Sequence, residues 1–180
     1  MTPDATLRDR VSEDAVWKAL QDVPDPEIPG ISVVELGIIR KVEIGAKVRV
    51  EVMPTFVGCP ALDVIQDAIR ERLAEFGPTE VKLTFAEPWT SERITPEGRE
   101  KLRRSGFAPP PAPGEAGSTA PLLQIQSGAG DELPGLPALA ECPHCGSKNT
   151  RLESPFGPTL CRAVYHCADC RQPFEQFKPV

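Results

Sequence analysis

The chain has 180 residues, which is enough for one ordinary domain and a smaller one. Its 26 acidic and 20 basic residues give a net charge of −6, which disfavours non-specific nucleic-acid binding because such binding depends on neutralising phosphates. No apolar run approaches the ~18 residues of a membrane span, and the polar N-terminus lacks the apolar core of a secretion signal. We therefore expect a soluble, cytoplasmic protein with neither a membrane nor a nucleic-acid partner.

Helical and strand patterns alternate through the first part of the chain. In chain order they predict a helix that begins after Ser12, strands within 33–44 and 47–53, an amphipathic helix within 59–77, a strand within 80–86 and a short basic helix from Thr95 to Gly106. The order α-β-β-α-β-α is typical of a two-layer α/β sandwich. The sequence thus predicts an α+β fold with a mixed or antiparallel sheet.

A proline-rich stretch separates this region from the C-terminus. Residues 108–141 contain seven prolines and five glycines but no lysine or arginine. Such a composition buries too little apolar surface to offset the entropy lost on ordering, so we interpret it as a flexible linker. The predicted organisation is a first domain over 1–107, a linker over 108–141 and a small domain over 142–180.

Two C-x-x-C pairs define the small domain. Cys142 and Cys145 form the first pair, and Cys167 and Cys170 form the second, with 21 residues between the pairs. Each pair can form a tight knuckle, and two knuckles supply four thiolates to a tetrahedral metal. We predict a β-ribbon on a structural zinc, in which metal binding supplies much of the folding energy. Iron in a rubredoxin-like centre has the same spacing and stays open as an alternative.

Three residues near these pairs need a separate interpretation. Cys161 lies on the predicted strand before the second pair, where we interpret it as a small core residue; a spare thiol or an alternative ligand stays open. His144 lies inside the first knuckle and His166 precedes the second. We predict that neither histidine is a ligand, because the first points outward and the second would distort its knuckle.

Cys59 stands apart from the other five cysteines. It precedes Pro60, a favoured first residue of a helix, so we predict that Cys59 is the N-cap of the longest helix. There the positive end of the helix dipole would lower the pKa of the thiol. Thr55 could donate a hydrogen bond to the sulfur, and a loop carrying Asp25 and Glu27 could approach the same helix end. The alternatives are a small buried cysteine and a solvated acidic turn.

Motifs in both domains carry a family resemblance. They are D-P-E-I-P at 25–29, V-x-x-L-G-I-I at 33–39, T-x-x-x-C-P at 55–60, E-P-W-T at 87–90, the G-R-E-K-L-R stretch from Gly98, and the tail from C-P-H-C-G-S to P-F-E-Q-F-K. The first domain resembles the SufT-like iron–sulfur assembly domain, and the tail is similar to the ribbon of PaaD, a family of phenylacetyl-CoA epoxidase subunits. Val57 departs from the pattern, since relatives commonly carry a small hydroxyl residue there. The missing hydroxyl removes one candidate polar partner of Cys59, although Thr55 remains.

The resemblance implies an accessory role in aerobic bacterial degradation of phenylacetate. The implied partners are the di-iron oxygenase subunit and the flavin and [2Fe–2S] reductase of the ring-epoxidising oxygenase, with iron–sulfur assembly machinery as a further possible partner. The first domain would assist iron–sulfur or iron-centre maturation, with Cys59 touching iron or a cluster in transit. The chain has no E-x-x-H pair, glycine-rich nucleotide loop or nucleophile–base motif, so we expect no enzymatic activity of its own.

Two other functions stay open at this point. One is a rubredoxin-like electron-transfer subunit that carries iron in the four-cysteine site. The other is a zinc-ribbon interaction module whose first domain is only a scaffold. In both the maturation and the interaction hypotheses the ribbon recognises a partner, and Phe174 and Phe177 are candidate contact residues, with packing over the ribbon as the alternative.

Overall fold

The computed structural model describes residues 10–28, 30–56, 58–111 and 140–178. The chain divides into two compact units, one within 1–105 and the other within 106–179. Most of the predicted linker, residues 112–139, lies outside the described residues, as does Val57. No helix in the described ranges is long and apolar enough to cross a membrane.

The first unit has three helices: α1 (Glu13–Leu20), α2 (Leu62–Leu73) and α3 (Pro96–Arg104). The helices α1 and α2 contact each other and the sheet, and they form one layer. The side chain of Ser12 caps α1 by accepting a hydrogen bond from the Ala15 N–H at 3.2 Å. Thr95 caps α3 in the same way through the Gly98 N–H at 3.0 Å, and Pro96 follows it as the first helical residue. Both helix starts are where the sequence predicts them.

The second layer is a three-stranded sheet in the order β1 (Ile39–Ile44), β2 (Val48–Val52) and β3 (Thr79–Leu83). β1 and β2 form an antiparallel hairpin, whereas β3 runs parallel to β2 after the crossover through α2. Val48, Val50 and Val52 alternate along β2 and are fully buried. The α2 residues Ile65, Ile69 and Leu73 repeat at helical spacing and are buried as well. The predicted α-β-β-α-β-α sandwich is confirmed, and its sheet is mixed.

The strand predicted within 33–44 begins late. Residues 33–37 form turns and β1 starts only at Ile39. The Leu36 N–H donates to the Ser32 carbonyl at 2.9 Å, and Gly37 takes a left-handed φ of 67° that closes the turn. The apolar residues of this segment are largely buried, and burial explains why the segment has the apolar pattern of a strand although it forms a turn.

The segment 32–38, called here the Glu35 turn, is held by residues that come later in the first unit. The Trp89 indole N–H donates to one of its carbonyls at 3.0 Å, and the Arg93 guanidinium donates to another at 3.0 Å. Lys101 on α3 forms an ion pair with the Glu35 carboxylate at 2.7 Å. The E-P-W-T and G-R-E-K-L-R motifs therefore have a structural role, which is to fix this turn in front of β1.

The second unit is a four-stranded sheet. Its strands are β4 (Phe107–Ala108), β5 (Thr150–Ser154), β6 (Arg162–Cys167) and β7 (Pro173–Phe177), in the spatial order β4-β7-β6-β5. β4 pairs in parallel with β7, and the other pairs are antiparallel. The buried cluster is small: Ala108, Ala140, Cys142, Ala163, Tyr165, Cys167 and Phe174. Only two of these side chains are large, and even with the buried Phe177 the unit has little apolar core with which to fold.

Candidate metal centre and the Cys59 loop

The two C-x-x-C pairs form knuckles with the same backbone hydrogen bonds. In the first, the Gly146 N–H donates to the Cys142 carbonyl at 2.9 Å; in the second, the Arg171 N–H donates to the Cys167 carbonyl at 3.0 Å. Gly146 and Arg171 occupy equivalent positions, and both have a left-handed φ, of 74° and 60°. Each turn closes tightly enough to bring the two thiols of its pair to one side.

The four sulfurs converge on one point. The Sγ atoms of Cys142, Cys145, Cys167 and Cys170 all lie within 4.8 Å of one another. The Cys142–Cys170 and Cys145–Cys167 Sγ distances are both 3.6 Å. Tetrahedral zinc with bonds of about 2.3 Å would separate its sulfurs by about 3.8 Å, so the four thiols fit such an ion. Zinc bound there would act as a cross-link between the knuckles.

The thiols of this site cannot all ionise without a cation. Backbone N–H groups of the second knuckle, that of Cys170 first, lower the pKa of Cys167 to about 7. A backbone hydrogen bond from Ser147 also acts to lower the pKa of Cys145, but burial and the adjacent thiols outweigh it and raise that pKa to about 12. A divalent cation removes this conflict, and its binding must release protons.

The other tail residues stay outside this group. Within the described ranges, the four cysteines are the one set of three or more His, Cys, Asp or Glu side chains placed to hold a metal, and neither His144 nor His166 belongs to it. Cys161 is buried, and its Sγ lies 3.1 Å from the Thr159 hydroxyl. This is the environment of the small core residue that we expect.

The prediction that Cys59 caps the longest helix is wrong. The N-cap of α2 is Ala61, which has helical backbone angles and no capping side chain. The Leu62 N–H instead donates to the Cys59 carbonyl at 3.3 Å, and this bond closes a separate turn in front of the helix. Gly58, with a left-handed φ of 82°, reverses the chain just before this turn. The half-buried Cys59 thus lies two residues before the N-cap of α2 and not at the capping position itself.

The acidic loop uses one of its carboxylates locally. The Asp25 Oδ1 accepts hydrogen bonds from the backbone N–H groups of Glu27 and Ile28 at 2.8 and 2.9 Å, so this carboxylate shapes its own turn. Asp25, Glu27 and Thr55 are all half-buried. Among the residues described, no metal-ligand group joins the two acids to Cys59.

Two exposed apolar side chains belong to segments near the end of the sheet from which the Cys59 loop leaves. β2 and β3 are parallel, so the loops that follow them leave the same edge of the sheet. The loop after β2 carries Cys59, and the one after β3 carries Phe85, whose side chain is 60% exposed. Val64, in the first turn of α2, is 56% exposed. Our sequence reasoning missed both, and it placed Phe85 inside the strand predicted within 80–86, whereas β3 ends at Leu83.

The two candidate contact residues of the ribbon are buried. Phe174 is 5% exposed and stacks on Tyr165 with ring centroids 5.7 Å apart, and Phe177 is 1% exposed. The packing alternative is therefore confirmed for both. Phe156 and Leu160, in the β5–β6 loop, are 71% and 54% exposed instead. The sequence signal for them is a pair of apolar residues within the Pro- and Gly-containing turn S-P-F-G-P-T-L.

Comparison with known proteins gives matches for both units. Residues 13–83 match the family described as iron–sulfur cluster assembly protein, and residues 127–178 match the PaaD zinc beta ribbon domain. The chain is similar to a domain of unknown function, DUF59, from Bacillus anthracis (25% identity, TM-score 0.47, covering 50% of this chain and 90% of that one). It is also similar to a conserved hypothetical protein from Thermotoga maritima (36% identity, TM-score 0.44, covering 51% and 94%).

A relative that matches along nearly the whole chain is found in Escherichia coli K12. That protein is named as the D component of 1,2-phenylacetyl-CoA epoxidase, and it is 37% identical over 166 residues, which are 91% of this chain and 90% of the relative. The resemblance that the sequence motifs indicate is confirmed. The chain belongs to the PaaD family of phenylacetyl-CoA epoxidase subunits, with an iron–sulfur assembly domain followed by a PaaD zinc ribbon.

Proposed function

We propose that this protein is an accessory subunit that assists iron–sulfur or iron-centre assembly in the other subunits of the phenylacetyl-CoA epoxidase system, in aerobic phenylacetate degradation. The observation that carries the proposal is that a region matching iron–sulfur cluster assembly proteins and a preformed four-thiol site occur in one chain of the PaaD family. In this proposal the protein itself does not epoxidise the substrate.

Cys59 is then the thiol that touches iron or a cluster in transit. It lies in the loop that follows the central strand β2, and no group of three or more metal-ligating side chains in the described ranges includes it. One thiol cannot enclose a metal, so the cargo would be shared with ligands of the client protein. Such sharing suits a transfer step better than storage. Thr55, Asp25 and Glu27 would shape the loop around the cargo.

The ribbon has a different task in the same proposal. Zinc in the four-cysteine site stabilises a unit that has a small core, and the four reduced thiols suit a reducing compartment such as the cytoplasm. The exposed Phe156 and Leu160 would contact the reductase or the di-iron oxygenase subunit. Attachment through the ribbon raises the effective concentration of the Cys59 loop at its client without new chemistry.

The test is to replace the Cys59 thiol and measure iron in the partners. The Cys59→Ser variant is co-expressed with the epoxidase subunits and purified without oxygen, beside wild type and a Cys161→Ser control that also removes one non-site thiol. We expect Cys59→Ser alone to lower the iron content of the partners and the epoxidase activity, while its own zinc content stays equal to that of wild type. Wild-type partner iron in Cys59→Ser would refute the transfer role.

A second candidate function is favoured by the exposed apolar loop of the ribbon. If the protein is only an interaction module, Phe156→Ala or Cys167→Ser abolishes complex formation while Cys59→Ser leaves every property unchanged. The same preparations address the electron-transfer alternative. Iron with visible absorption and a reversible redox couple, lost in Cys167→Ser, would indicate a rubredoxin-like centre.

A further inference from the structure

The two knuckles differ at one equivalent position. The third residue of each C-x-x-C motif is His144 in the first and Asp169 in the second, and both are exposed. The Asp169 carboxylate turns back toward the chain that leaves the first knuckle. Its Oδ2 accepts a hydrogen bond from the Ser147 hydroxyl at 2.5 Å, and its Oδ1 accepts one from the Asn149 side-chain amide at 2.7 Å.

The partners of Asp169 are themselves held in place. The Asn149 N–H donates to the Ser147 hydroxyl oxygen at 2.9 Å, and the Ala168 N–H donates to the Asn149 carbonyl at 2.9 Å. Directly after these residues, β5 begins with Thr150 paired to Cys167. The Asp169 carboxylate therefore bridges the exit of the first knuckle and the tip of the second.

This bridge holds the two knuckles close to each other, as a four-thiol metal site requires. The two pairs are 21 residues apart in sequence, so bringing them together costs loop-closure entropy whenever the metal is absent. Release of the metal also requires that one knuckle move away from the other. A contact that holds the knuckles together without touching the metal makes the site preorganised, which strengthens binding and slows release.

We propose that Asp169 is a positioning residue that holds the two metal knuckles together through Ser147 and Asn149 and thereby controls how fast the ribbon loses its metal. The proposal concerns this chain alone and does not depend on the role of Cys59. It assigns a function to a side chain that is not a ligand and that lies at a position where the first knuckle has only an exposed histidine.

The experiment follows zinc release from the full chain to a chromophoric chelator. Zinc-loaded Asp169→Ala is compared with wild type, with Asp169→Asn and with the matched control His144→Ala. Hydrogen bonds to a charged group contribute more than neutral ones, so we expect Asp169→Ala to release zinc roughly tenfold faster. His144→Ala should release zinc at the wild-type rate. The release rate of Asp169→Asn should lie between those of wild type and Asp169→Ala, because asparagine keeps the shape and one acceptor oxygen of aspartate but loses its charge.

A second readout separates positioning from general loss of stability. Thiols are pulse-alkylated during release and located by mass spectrometry. If Asp169 couples the knuckles, its alanine variant passes through a species with one pair alkylated and the other protected, whereas wild type exposes all four thiols together. The asparagine variant gives the same readout if the alanine variant does not fold. Wild-type release rates in both Asp169 variants, or simultaneous exposure of all four thiols in them, would overturn the proposal.

Discussion

Gly98 in α3 offers a test, because helix propensity and tertiary packing predict opposite signs for the change in unfolding free energy when this glycine is replaced with alanine. Glycine in a helix costs up to about 1 kcal/mol relative to alanine, so Gly98→Ala would stabilise an isolated helix. In the structure, however, a Cβ at this position would lie 2.7 Å from the Glu35 carbonyl oxygen and 3.2 Å from its carbonyl carbon. Both atoms belong to the backbone of the Glu35 turn and cannot rotate away.

The magnitude follows from these distances. Overpacking typically costs about 1–3 kcal/mol, and the 2.7 Å approach to a backbone oxygen places this case in the upper part of that range, at about 2–3 kcal/mol. After a propensity gain of about 1 kcal/mol we expect a net loss of about 1–2 kcal/mol in the free energy of unfolding. For a domain of roughly this size, each kcal/mol lowers Tm by about 4–8 °C. The hydrogen bond from the Gly98 N–H to Thr95 is retained in the variant, so the loss reports on packing alone.

Urea unfolding followed by tryptophan fluorescence measures this effect in the full chain. Both tryptophans, Trp17 and Trp89, lie in the first unit, so the signal reports on that unit only. Gly45→Ala is the matched control, because the nearest atom to its added Cβ is 4.0 Å away, and we expect a change within about 0.5 kcal/mol. A Gly98→Ala variant as stable as wild type would show that α3 does not press on the Glu35 turn.

Two further predictions use ionisable groups. Burial acts to raise the pKa of Glu35, but its hydrogen bonds and charge pairing with Lys101 and the Ser32 N–H outweigh burial and hold that pKa below the ordinary 4.5. The stabilisation of the fold by the Glu35 carboxylate is therefore present above pH 4.5 and is lost as the pH falls through the lowered pKa. The difference in unfolding free energy between wild type and Glu35→Gln should shrink below pH 4.5. A difference that stays constant with pH would contradict this. Burial raises the pKa of Tyr165, the one tyrosine of the chain, above the ordinary 10. Chelation of the ribbon metal should return the ultraviolet titration of Tyr165 to about 10, and an unchanged titration would mean that the ribbon stays folded without metal.

Local patterns in the sequence account for most of the fold. Ser12 and Thr95 predict the starts of α1 and α3 because capping depends on one side chain and the next three residues. The four ribbon cysteines predict their own cluster because each C-x-x-C knuckle is closed by hydrogen bonds within six residues. The family motifs likewise indicate the correct family without any structural information.

The exceptions are positions where distant contacts override a local preference. Residues 33–37 have the pattern of a strand but form a turn. The side chains of Trp89 and Arg93 donate hydrogen bonds to carbonyls of this turn, and Lys101 forms an ion pair with its Glu35 carboxylate. Cys59 is a different case, because the turn that places the N-cap of α2 at Ala61 is itself local and is closed by the hydrogen bond from the Leu62 N–H to the Cys59 carbonyl.

The order of the helices and strands in the first unit, the four-thiol cluster and the family can be predicted from the chain without coordinates. The exposure of individual apolar residues cannot, since Phe174 and Phe156 both lie near turns and strand pairing buries the first alone. The bridge that the Asp169 carboxylate makes between the two knuckles is equally invisible in the sequence. Short-range patterns depend on neighbours in the chain, whereas exposure and bridging contacts depend on which distant segments the fold brings together.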